Sequence, residues 1–305
     1  MNSLNSSQLA AFAEIIRNGS FDGAARKLNV TPSAISQRIR QLEDKLGQVL
    51  LVREIPCRPT RAGQQLLKHA TQVELLEQEL IGGMGAANAA NSQPLGLSIS
   101  VNADSLDGWF VHAFEACCSS ARILLDIRVE DQDYSAQMLR DGEVMAAIAA
   151  SPLAPQGCSA ERLGSMRYLA LCSPAFFSSN FQSGVDENTL TQAPMLIYNA
   201  KDDMQQSFAK AIVGRPIDAP AHFIPSTSSF VYLARKGFGW GMIPEHMAND
   251  FLQRGELVEV SPGRHIDVDL YFHRWQIQSR ALDILSTAIR TAAQQYLRPV
   301  SNGPI

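Results

Sequence analysis

The chain carries one set of side chains whose chemistry suits the recognition of DNA. Hydroxyl, amide and guanidinium groups share one face of a predicted helix, without a carboxylate among them: Ser33, Ser36, Gln37 and Arg40. Hydroxyl and amide groups can hydrogen-bond to base edges in the major groove, and a guanidinium can pair with a phosphate. Arg38 borders this face and could serve as a phosphate contact or as a partner for Glu43 or Asp44. The face therefore predicts a helix that contacts double-stranded DNA.

Two helices joined by a short turn are expected to position this face within residues 20–42. Ser20 can cap the first helix, and Thr31 can cap the second, which has Pro32 at its first position. An apolar stripe should turn the second helix toward a core, and its residues are Ile35, Ile39, Leu42 and Leu46. An ordinary amphipathic helical pair is the alternative. The acid-free outer face favours a helix–turn–helix.

A short basic hairpin, or wing, is predicted directly after these helices. Residues 50–53 form a strand-like run, Pro56 and Pro59 interrupt the chain, and Arg58 stands on the return. A wing beside a recognition helix is expected to lay its basic residues on the phosphate backbone. The predicted DNA-contacting residues are Thr31, Pro32, Ser33, Ser36, Gln37, Arg38, Arg40, Arg53 and Arg58.

Thr60 is predicted to cap a long helix that runs from Arg61 to Leu80, and the apolar stripe of this helix is narrow. The stripe comprises Leu66, Leu67, Val73, Leu76 and Leu80. Because this width suits a seam between two helices better than a core, we expect a homodimer or homotetramer that binds an imperfect inverted repeat. Residues 81–94 then hold three glycines, small residues and a proline, which predicts a hinge.

The net charge of −4 hides two parts of opposite charge. Residues 1–68 hold ten Lys and Arg against five Asp and Glu, a net of +5. The totals of 26 basic and 30 acidic residues leave sixteen against twenty-five, a net of −9, in the rest of the chain. Attraction to DNA is therefore expected of the N-terminal part alone, and it should depend strongly on salt.

Length, hydropathy and cysteine content favour a cytoplasmic protein. A chain of 305 residues suggests two or three domains. No apolar run approaches the roughly 20 residues that span a bilayer, and no secretory signal is visible. Five cysteines without a CxxC pair fit reduced thiols. We expect no membrane association, no metal and no cofactor.

From Leu95 onward, predicted strands alternate with predicted helices. This alternation predicts an α/β fold with a parallel sheet that helices cover on both faces. Ligands of such sheets bind at the carboxyl ends of strands, where this chain places polar clusters. The predicted ligand-binding residues are Asn102, Asp104, Ser105, Glu130, Asp131, Tyr198, Asp203, Ser226 and Thr227.

These clusters suit an amino acid with a cationic side chain. Such a ligand needs carboxylates at one end and hydrogen-bond donors for its α-carboxylate at the other, and the clusters offer both. Polar residues at helix starts are more often caps, so Asp202, Asp203 and Ser228 could instead satisfy backbone donors. Tyr198 could equally be an aromatic of the core at the end of a strand.

The segment from Leu9 to Leu67 resembles the N-terminal domain of the LysR-type transcriptional regulators, nearly without gaps. The rest of the chain resembles the same family, with fewer matching residues per length of chain. In the wing, Leu51-Val52-Arg53 and Pro59-Thr60 depart from the form that many members carry. Both departures resemble one branch of the family, the regulators of arginine and lysine export.

The resemblance implies a winged helix–turn–helix over residues 1–62, a dimerisation helix with a hinge over 63–94 and an effector-binding domain over 95–305. It implies that this last domain resembles periplasmic binding proteins and has two lobes, residues 95–160 with 268–305 and residues 161–267. Lysine or arginine is the implied effector, bound between the lobes. Altered DNA bending and contact with RNA polymerase are the implied outputs.

Three other functions stay open at this level. No motif of nucleophilic, metal-dependent or dinucleotide-dependent catalysis stands in a suitable context, so an enzyme is the least favoured. A thiol-based sensor would use Cys117 and Cys118, which are adjacent on a predicted helix and point in different directions. A sensor of an unrelated organic acid would use Ser105 and Thr227 without the carboxylates.

Gln37→Ala is expected to reduce discrimination between base pairs by about 1–3 kcal/mol, because an amide on a base edge carries sequence information. Arg53→Ala should instead weaken binding to all sequences alike and lower the salt dependence by about one phosphate contact. Titrations of a selected duplex and of random DNA at several salt concentrations measure both effects. Equal losses of affinity for the two DNAs in Gln37→Ala would contradict its assignment.

Overall fold

A computed structural model describes residues 4–84, 94–120, 122–130 and 132–299. It contains an N-terminal helical domain, a long connecting helix and a larger α/β domain. Helices α1 to α4 are Ser6–Asn18, Phe21–Lys27, Pro32–Leu46 and Arg61–Met84, and the strands β1 and β2 of the wing are Leu51–Val52 and Arg58–Pro59.

Side-chain caps fix the starts of α2 and α3, the two helices of the predicted helix–turn–helix. The hydroxyls of Ser20 and Thr31 each accept a hydrogen bond from the backbone N–H three residues on, at 3.0 and 3.2 Å. Pro32 occupies the first turn of α3, as predicted. Three residues of the predicted stripe are fully buried: Ile35, Ile39 and Leu42. Leu46, at the end of α3, is 39% exposed, which departs from the prediction.

Thr60 and Gly63 hold the wing against the start of α4. The Thr60 hydroxyl accepts from the Gly63 N–H at 3.1 Å and donates to the Val49 carbonyl at 2.7 Å. A Cβ atom on Gly63 would lie 2.1 Å from the carbonyl oxygen of Leu50. The wing and the helix therefore meet backbone to backbone, and any larger side chain at position 63 must displace one of them.

Helix α4 contacts both domains. Leu66 and Leu67 are buried in the core of the helical domain, whereas Leu75 is buried in the core of the α/β domain. Leu76 and Leu80, two residues of the predicted seam, are 42% and 63% exposed. The helix therefore joins the two domains of one chain and leaves part of its seam uncovered. Most of the predicted hinge, residues 85–93, lies outside the described residues.

The α/β domain contains nine further strands and nine further helices within the described residues. Strands β3 to β11 are Leu95–Val101, Ile123–Val129, Ala146–Ala149, Cys158–Cys172, Met195–Ile197, Ala221–Phe223, Gly241–Pro244, Val258–Glu259 and His265–Trp275. Helices α5 to α13 are Ala103–Leu106, Phe110–Ser120, Gln132–Asp141, Pro174–Asn180, Glu187–Gln192, Met204–Val213, Thr227–Arg235, Glu245–Gln253 and Arg280–Tyr296.

The main sheet is mixed, which corrects the prediction of a parallel sheet. Its order is β10-β6-β11-β5-β3-β4, and β9 also pairs with β6. Strand β3 runs parallel to β4 and β5, but β11 runs antiparallel to both β5 and β6. The physical reason is that apolar patterning indicates a buried strand without indicating the direction of its neighbours.

Two lobes lie on either side of the long pair formed by β6 and β11. Strands β3 to β5 with α5 to α7 and α13 form the first lobe, and β7 to β9 with α8 to α12 form the second. Strands β6 and β11, of 15 and 11 residues, run continuously from one lobe into the other. Helices α8, α9 and α12 have only six to nine residues, too few to give the sequence a clear helical periodicity.

Gly63→Ala is expected to destabilise the helical domain by about 1–3 kcal/mol, because its methyl group would press on the Leu50 carbonyl. The three tryptophans, Trp109, Trp240 and Trp275, are all in the α/β domain. Far-UV circular dichroism should therefore show an earlier loss of helix, while the tryptophan fluorescence transition stays close to that of the wild type.

Gly82→Ala is the matched control, because nothing lies within 4 Å of a Cβ atom at this position of α4. Alanine in a helix is favoured over glycine, so this variant should be neutral or slightly more stable. An unchanged circular dichroism transition in Gly63→Ala would show that the wing and α4 can separate freely.

Candidate ligand cleft and nucleic-acid interface

Helix α3 presents the predicted DNA-contacting face to solvent. Of the predicted DNA-contacting residues on α3 and its cap, six are exposed: Thr31, Pro32, Ser33, Ser36, Gln37 and Arg40. Arg38 is half-buried at the border of the face, and the described residues give it no ion pair with Glu43 or Asp44. This set of exposed side chains therefore holds no carboxylate, in three dimensions as in the sequence.

Glu43 ties the wing to α3 and orients Arg53. One carboxylate oxygen of Glu43 accepts from the Leu50 N–H at 2.9 Å, and the other lies 3.3 Å from Nη2 of Arg53. The Arg53 guanidinium carbon also lies 5.6 Å from the centre of the Phe21 ring. The Arg53 side chain stays 57% exposed, and Arg58 is exposed on the neighbouring strand. Both cations are therefore accessible to a phosphate backbone.

A cleft of about 450 Å³ lies between the two lobes of the α/β domain. Strands β3, β4, β7 and β9 all end at it, and its volume suits a small ligand. Six residues of the predicted ligand-binding set line it: Asn102, Asp104, Glu130, Tyr198, Asp203 and Thr227.

Two predicted hydroxyls do not line this cleft. Ser105 is fully buried, and its oxygen accepts from the indole N–H of Trp109 at 3.1 Å. Ser226 caps α11 by accepting from the Ser229 N–H at 3.4 Å. Both hydroxyls satisfy local donors instead. Asp131, the remaining predicted residue, lies outside the described residues.

Asp104 connects the parts of the cleft. Its Oδ2 accepts from the Tyr168 hydroxyl at 2.8 Å, and its Oδ1 accepts from the Thr227 hydroxyl at 3.2 Å. Asp104 belongs to α5 in the first lobe, Tyr168 to the crossing strand β6 and Thr227 to α11 in the second lobe. One carboxylate therefore holds three separate elements together.

Burial shifts the acidity of this group. Loss of water raises the pKa of Asp104 above its ordinary value, and the charges of Asp202 and Asp107 act in the same direction, whereas the hydrogen bonds from Tyr168 and Thr227 act against it. Burial, and then the charge of Asp104, raises the pKa of Tyr168 well above its ordinary value. The Tyr168 hydroxyl therefore stays protonated and acts as a donor.

Neighbouring aspartates at the start of α10 have different roles. The Asp202 carboxylate accepts from the backbone N–H groups of Tyr198 at 2.9 Å and Met204 at 3.1 Å, so it acts as the cap that the sequence allowed. The Asp203 side chain makes no capping bond and is exposed in the cleft. Within the described residues, neither Asp203 nor Glu130 has a hydrogen bond or an ion pair.

The cleft is acidic and holds an unsatisfied acceptor. Among the described residues, its lining has one ammonium, that of Lys201, and four carboxylates, those of Asp104, Glu130, Asp202 and Asp203. Oδ1 of Asn102 is buried without a hydrogen-bond partner among the described residues. Such a lining favours a ligand that carries positive charge and hydrogen-bond donors.

Sequence reasoning missed part of the lining. Further lining residues are Tyr168, Asn199, Lys201, Met204, Phe230 and Met242. Tyr168 directly precedes the apolar end of strand β6, residues 169–172, and its polar-tipped aromatic ring was the one available signal. The others face the cleft only because the lobes are apposed.

Three cysteines of the α/β domain are poor candidates for a thiol sensor. Burial raises the pKa of Cys117 to about 11 and that of Cys172 to about 12. Burial also raises the pKa of Cys118. Because the thiolate is the reactive form, these shifts disfavour oxidation chemistry at Cys117 and Cys118, the positions that the sequence singled out.

The described part of the chain holds neither a helix suited to cross a membrane nor a cluster suited to a metal ion. None of its helices combines the length and the apolar character that a membrane crossing requires. Nor do three or more His, Cys, Asp or Glu side chains gather there as a metal site would require.

Comparison with known families agrees with both parts of the molecule. The family described as "Bacterial regulatory helix-turn-helix protein, lysR family" matches residues 6–64. The family described as "LysR substrate binding domain" matches residues 97–297. The chain belongs to the LysR-type family of transcriptional regulators. Because this is a family of regulators, the enzyme alternative is no longer tenable.

Similar proteins place this LysR-type regulator near one branch. It is 41% identical to the "HTH-type transcriptional regulator LysG" of Mycobacterium tuberculosis over 295 residues, which cover 97% of this chain and 95% of that protein. It is 40% identical to the "HTH-type transcriptional regulator ArgP" of Enterobacter sp. strain 638 over 291 residues, which cover 95% and 97%. The branch predicted from the wing is confirmed at this level.

Two solved structures extend the similarity to the fold. The crystal structure of ArgP from Mycobacterium tuberculosis matches with a TM-score of 0.87 and 41% identity, covering 98% of this chain and 100% of that one. Full-length LysG from Corynebacterium glutamicum, with bound effector Arg, matches with a TM-score of 0.78 and 32% identity, covering 97% and 100%.

Asp104→Asn is expected to raise the melting temperature of the ligand-free regulator near pH 8, because it removes a buried charge and retains a hydrogen-bonding side chain. The pKa of Asp104 is raised in the folded state, so its cost to stability is present above that folded pKa and disappears below the unfolded value of about 3.9. The difference between variant and wild type should therefore shrink as the pH falls toward about 4.

Asp218→Asn is the matched control, because Asp218 is exposed and lies away from the cleft. It should change the melting temperature little at any of these pH values. If the wild type is more stable than Asp104→Asn at high pH, the buried charge stabilises the fold and this prediction is wrong.

Proposed function

We propose that this LysR-type regulator binds arginine or lysine in the cleft between its lobes and changes transcription in response. The observation that carries the proposal is the set of unpartnered acceptors in an acidic cleft: Glu130, Asp203 and Oδ1 of Asn102. The Asn102 oxygen is buried, where an acceptor without a donor is costly, whereas Glu130 and Asp203 are exposed carboxylates that attract a cation. A cationic side chain with several N–H groups would satisfy all three.

The two ends of an amino acid suit opposite parts of the cleft. A guanidinium or ammonium group would pair with Glu130 and Asp203, at about 1.5–3 kcal/mol for each charge-assisted hydrogen bond. The α-carboxylate would lie at the start of α11, where the backbone N–H groups of Thr227 and Ser228 open the helix. The planar guanidinium of arginine can donate to two separate acceptors at once, whereas the ammonium of lysine is a more compact group.

A similar protein supports this class of ligand. LysG from Corynebacterium glutamicum has been solved with bound effector Arg, and it is similar to this chain over 97% of its length. The alternative of an unrelated organic acid is disfavoured by the lining itself, because an anionic ligand would meet four carboxylates and one ammonium.

The response follows from a shift between lobe arrangements. A ligand that contacts both lobes favours the arrangement in which its two ends are bound together.

We propose three domains with the limits 1–62, 63–94 and 95–305, and two lobes within the last. Exposed Leu76 and Leu80 on α4 support assembly into a homodimer or homotetramer on an inverted repeat. Contact with RNA polymerase in the cytoplasm would complete the response.

Thermal unfolding of the full chain with each of the twenty amino acids tests the proposal. Arginine and lysine should each raise the melting temperature. At a ligand concentration of about a hundred times Kd, the free energy of unfolding should increase by about 2.7 kcal/mol. Asp203→Asn and Glu130→Gln should each weaken the affinity about 10- to 100-fold, because each removes one charged acceptor.

Asp218→Asn again serves as the control, and its response to arginine should equal that of the wild type. Stabilisation by glutamate or by an apolar amino acid, with none by arginine or lysine, would overturn the effector assignment. The family assignment would stand in that case, because it rests on other residues.

A further inference from the structure

Helix α13 begins on the connecting helix α4. The Glu79 carboxylate of α4 accepts from the Ser279 hydroxyl at 2.6 Å and from the Ala281 N–H at 2.9 Å. The Ser279 oxygen in turn caps α13 by accepting from the Leu282 N–H at 3.2 Å. A carboxylate at this position also complements the positive end of the helix dipole. Glu79 therefore completes the cap of a helix that belongs to the effector domain.

Three more contacts fix the same face of α4 to the first lobe. Leu75, one turn before Glu79, is buried in the core of the effector domain. The Lys68 ammonium donates to the Gln156 carbonyl at 3.2 Å. Gly142 packs so closely that a Cβ atom there would lie 2.5 Å from Cα of Lys68. These contacts repeat every one or two turns, so they form a single docking face.

The other end of α13 reaches the second lobe. Just beyond the helix, the backbone of Arg298 pairs with that of Ser165 on the crossing strand β6, with both hydrogen bonds at 3.0 Å. The Arg298 guanidinium then forms hydrogen bonds of 2.7 and 3.0 Å to the Glu245 carboxylate. Glu245 opens α12 of the second lobe and directly follows Pro244, which lines the cleft.

Helix α13 is rigid between these ends. Its 17 residues span about 25 Å, and its inner face is fully buried at Leu282, Leu285 and Ile289. At the far side of α4, Arg17 of the DNA-binding domain pairs with Glu74 at 2.5 Å. Contacts therefore run without interruption from the lining of the cleft to the DNA-binding domain.

We propose that α13 couples the position of the second lobe to α4, with Arg298 and Glu79 as the positioning residues at its two ends. The inference rests on the proposed function, because arginine is the ligand taken to move the lobes. When the second lobe moves, Glu245 moves with it, and the ion pair with Arg298 transfers that displacement to α13. Glu79 then transfers it to α4. Neither residue belongs to the lining of the cleft or to the predicted DNA-contacting set.

The test compares two measurements on the full chain. The first is the arginine-induced rise in melting temperature, which reports binding. The second is the change that arginine causes in the affinity for a DNA duplex enriched from a random-sequence pool by the wild type. In the wild type this change should be about fivefold or more. In Glu79→Ala and in Arg298→Gln it should fall below about twofold, while the rise in melting temperature is kept.

Two control variants have similar chemistry but do not join α13 to α4 or to the second lobe. Arg290 lies on α13 and pairs with Glu161 at 2.8 and 2.9 Å, away from the second lobe, so Arg290→Gln removes a comparable ion pair. Glu77 lies on α4 and contacts only Ser6 among the described residues, so Glu77→Ala removes a comparable charge. Both should keep the wild-type response of DNA affinity to arginine.

The outcomes separate this inference from the proposed function. Binding of arginine without any effect on DNA affinity in the wild type would overturn the coupling and leave the effector assignment intact. A full response in both Glu79→Ala and Arg298→Gln, or an equal loss in the controls, would also overturn it. No arginine or lysine binding by the wild type would overturn the proposed function, and the coupling with it.

Discussion

A carboxylate that leaves water must find other hydrogen-bond donors, and Asp104 finds them on two elements other than its own. The Tyr168 hydroxyl comes from a strand that crosses between the lobes, and the Thr227 hydroxyl comes from the second lobe. The need to compensate one buried charge therefore holds the lobes in their mutual arrangement. The cleft and its lining exist because this arrangement leaves space beside Asp104 without filling it.

The crossing strands link the two lobes directly. Strands β6 and β11 belong to both lobes and hydrogen-bond to each other along their length, so the lobes stay in register. One irregularity interrupts the pairing between Leu270 and Tyr271. Near this point Gly164 packs so closely on the Arg298 carbonyl that a Cβ atom would lie 2.7 Å from it. The link between lobes is therefore compact, with little room for side chains.

The helical domain could be predicted from the sequence because its signals are local. Ser20, Thr31 and Pro32 indicate where helices start, and the capping hydrogen bonds form within three residues of them. The apolar stripe of α3 identifies its buried face. The effector domain was harder. Strand direction depends on partners that lie a hundred residues away, as when Asp269 on β11 meets Ser165 on β6, so the mixed sheet could not be foreseen.

The candidate site shows the same limit at the level of single residues. Composition indicated a cluster of carboxylates and hydroxyls, and six of the predicted residues do line one cleft. Sequence could not tell which neighbour faces inward. Ser105 turns to Trp109 and Asp202 turns to its own backbone, while Asp203 beside it remains open to the cleft. The orientation of each side chain depends on how it packs in the folded protein, which the local sequence does not reveal.

Helix α4 separates two tasks around its own axis. Leu75 and Glu79 are docked on the first lobe, and the exposed Leu76 and Leu80 each follow one of them and so point about 100° away. A second copy of the chain could occupy the exposed side of α4 without displacing the first lobe from the other side. Loss of quaternary structure and loss of responsiveness should consequently be distinct mutational phenotypes, which can be selected independently in the evolution of this regulator.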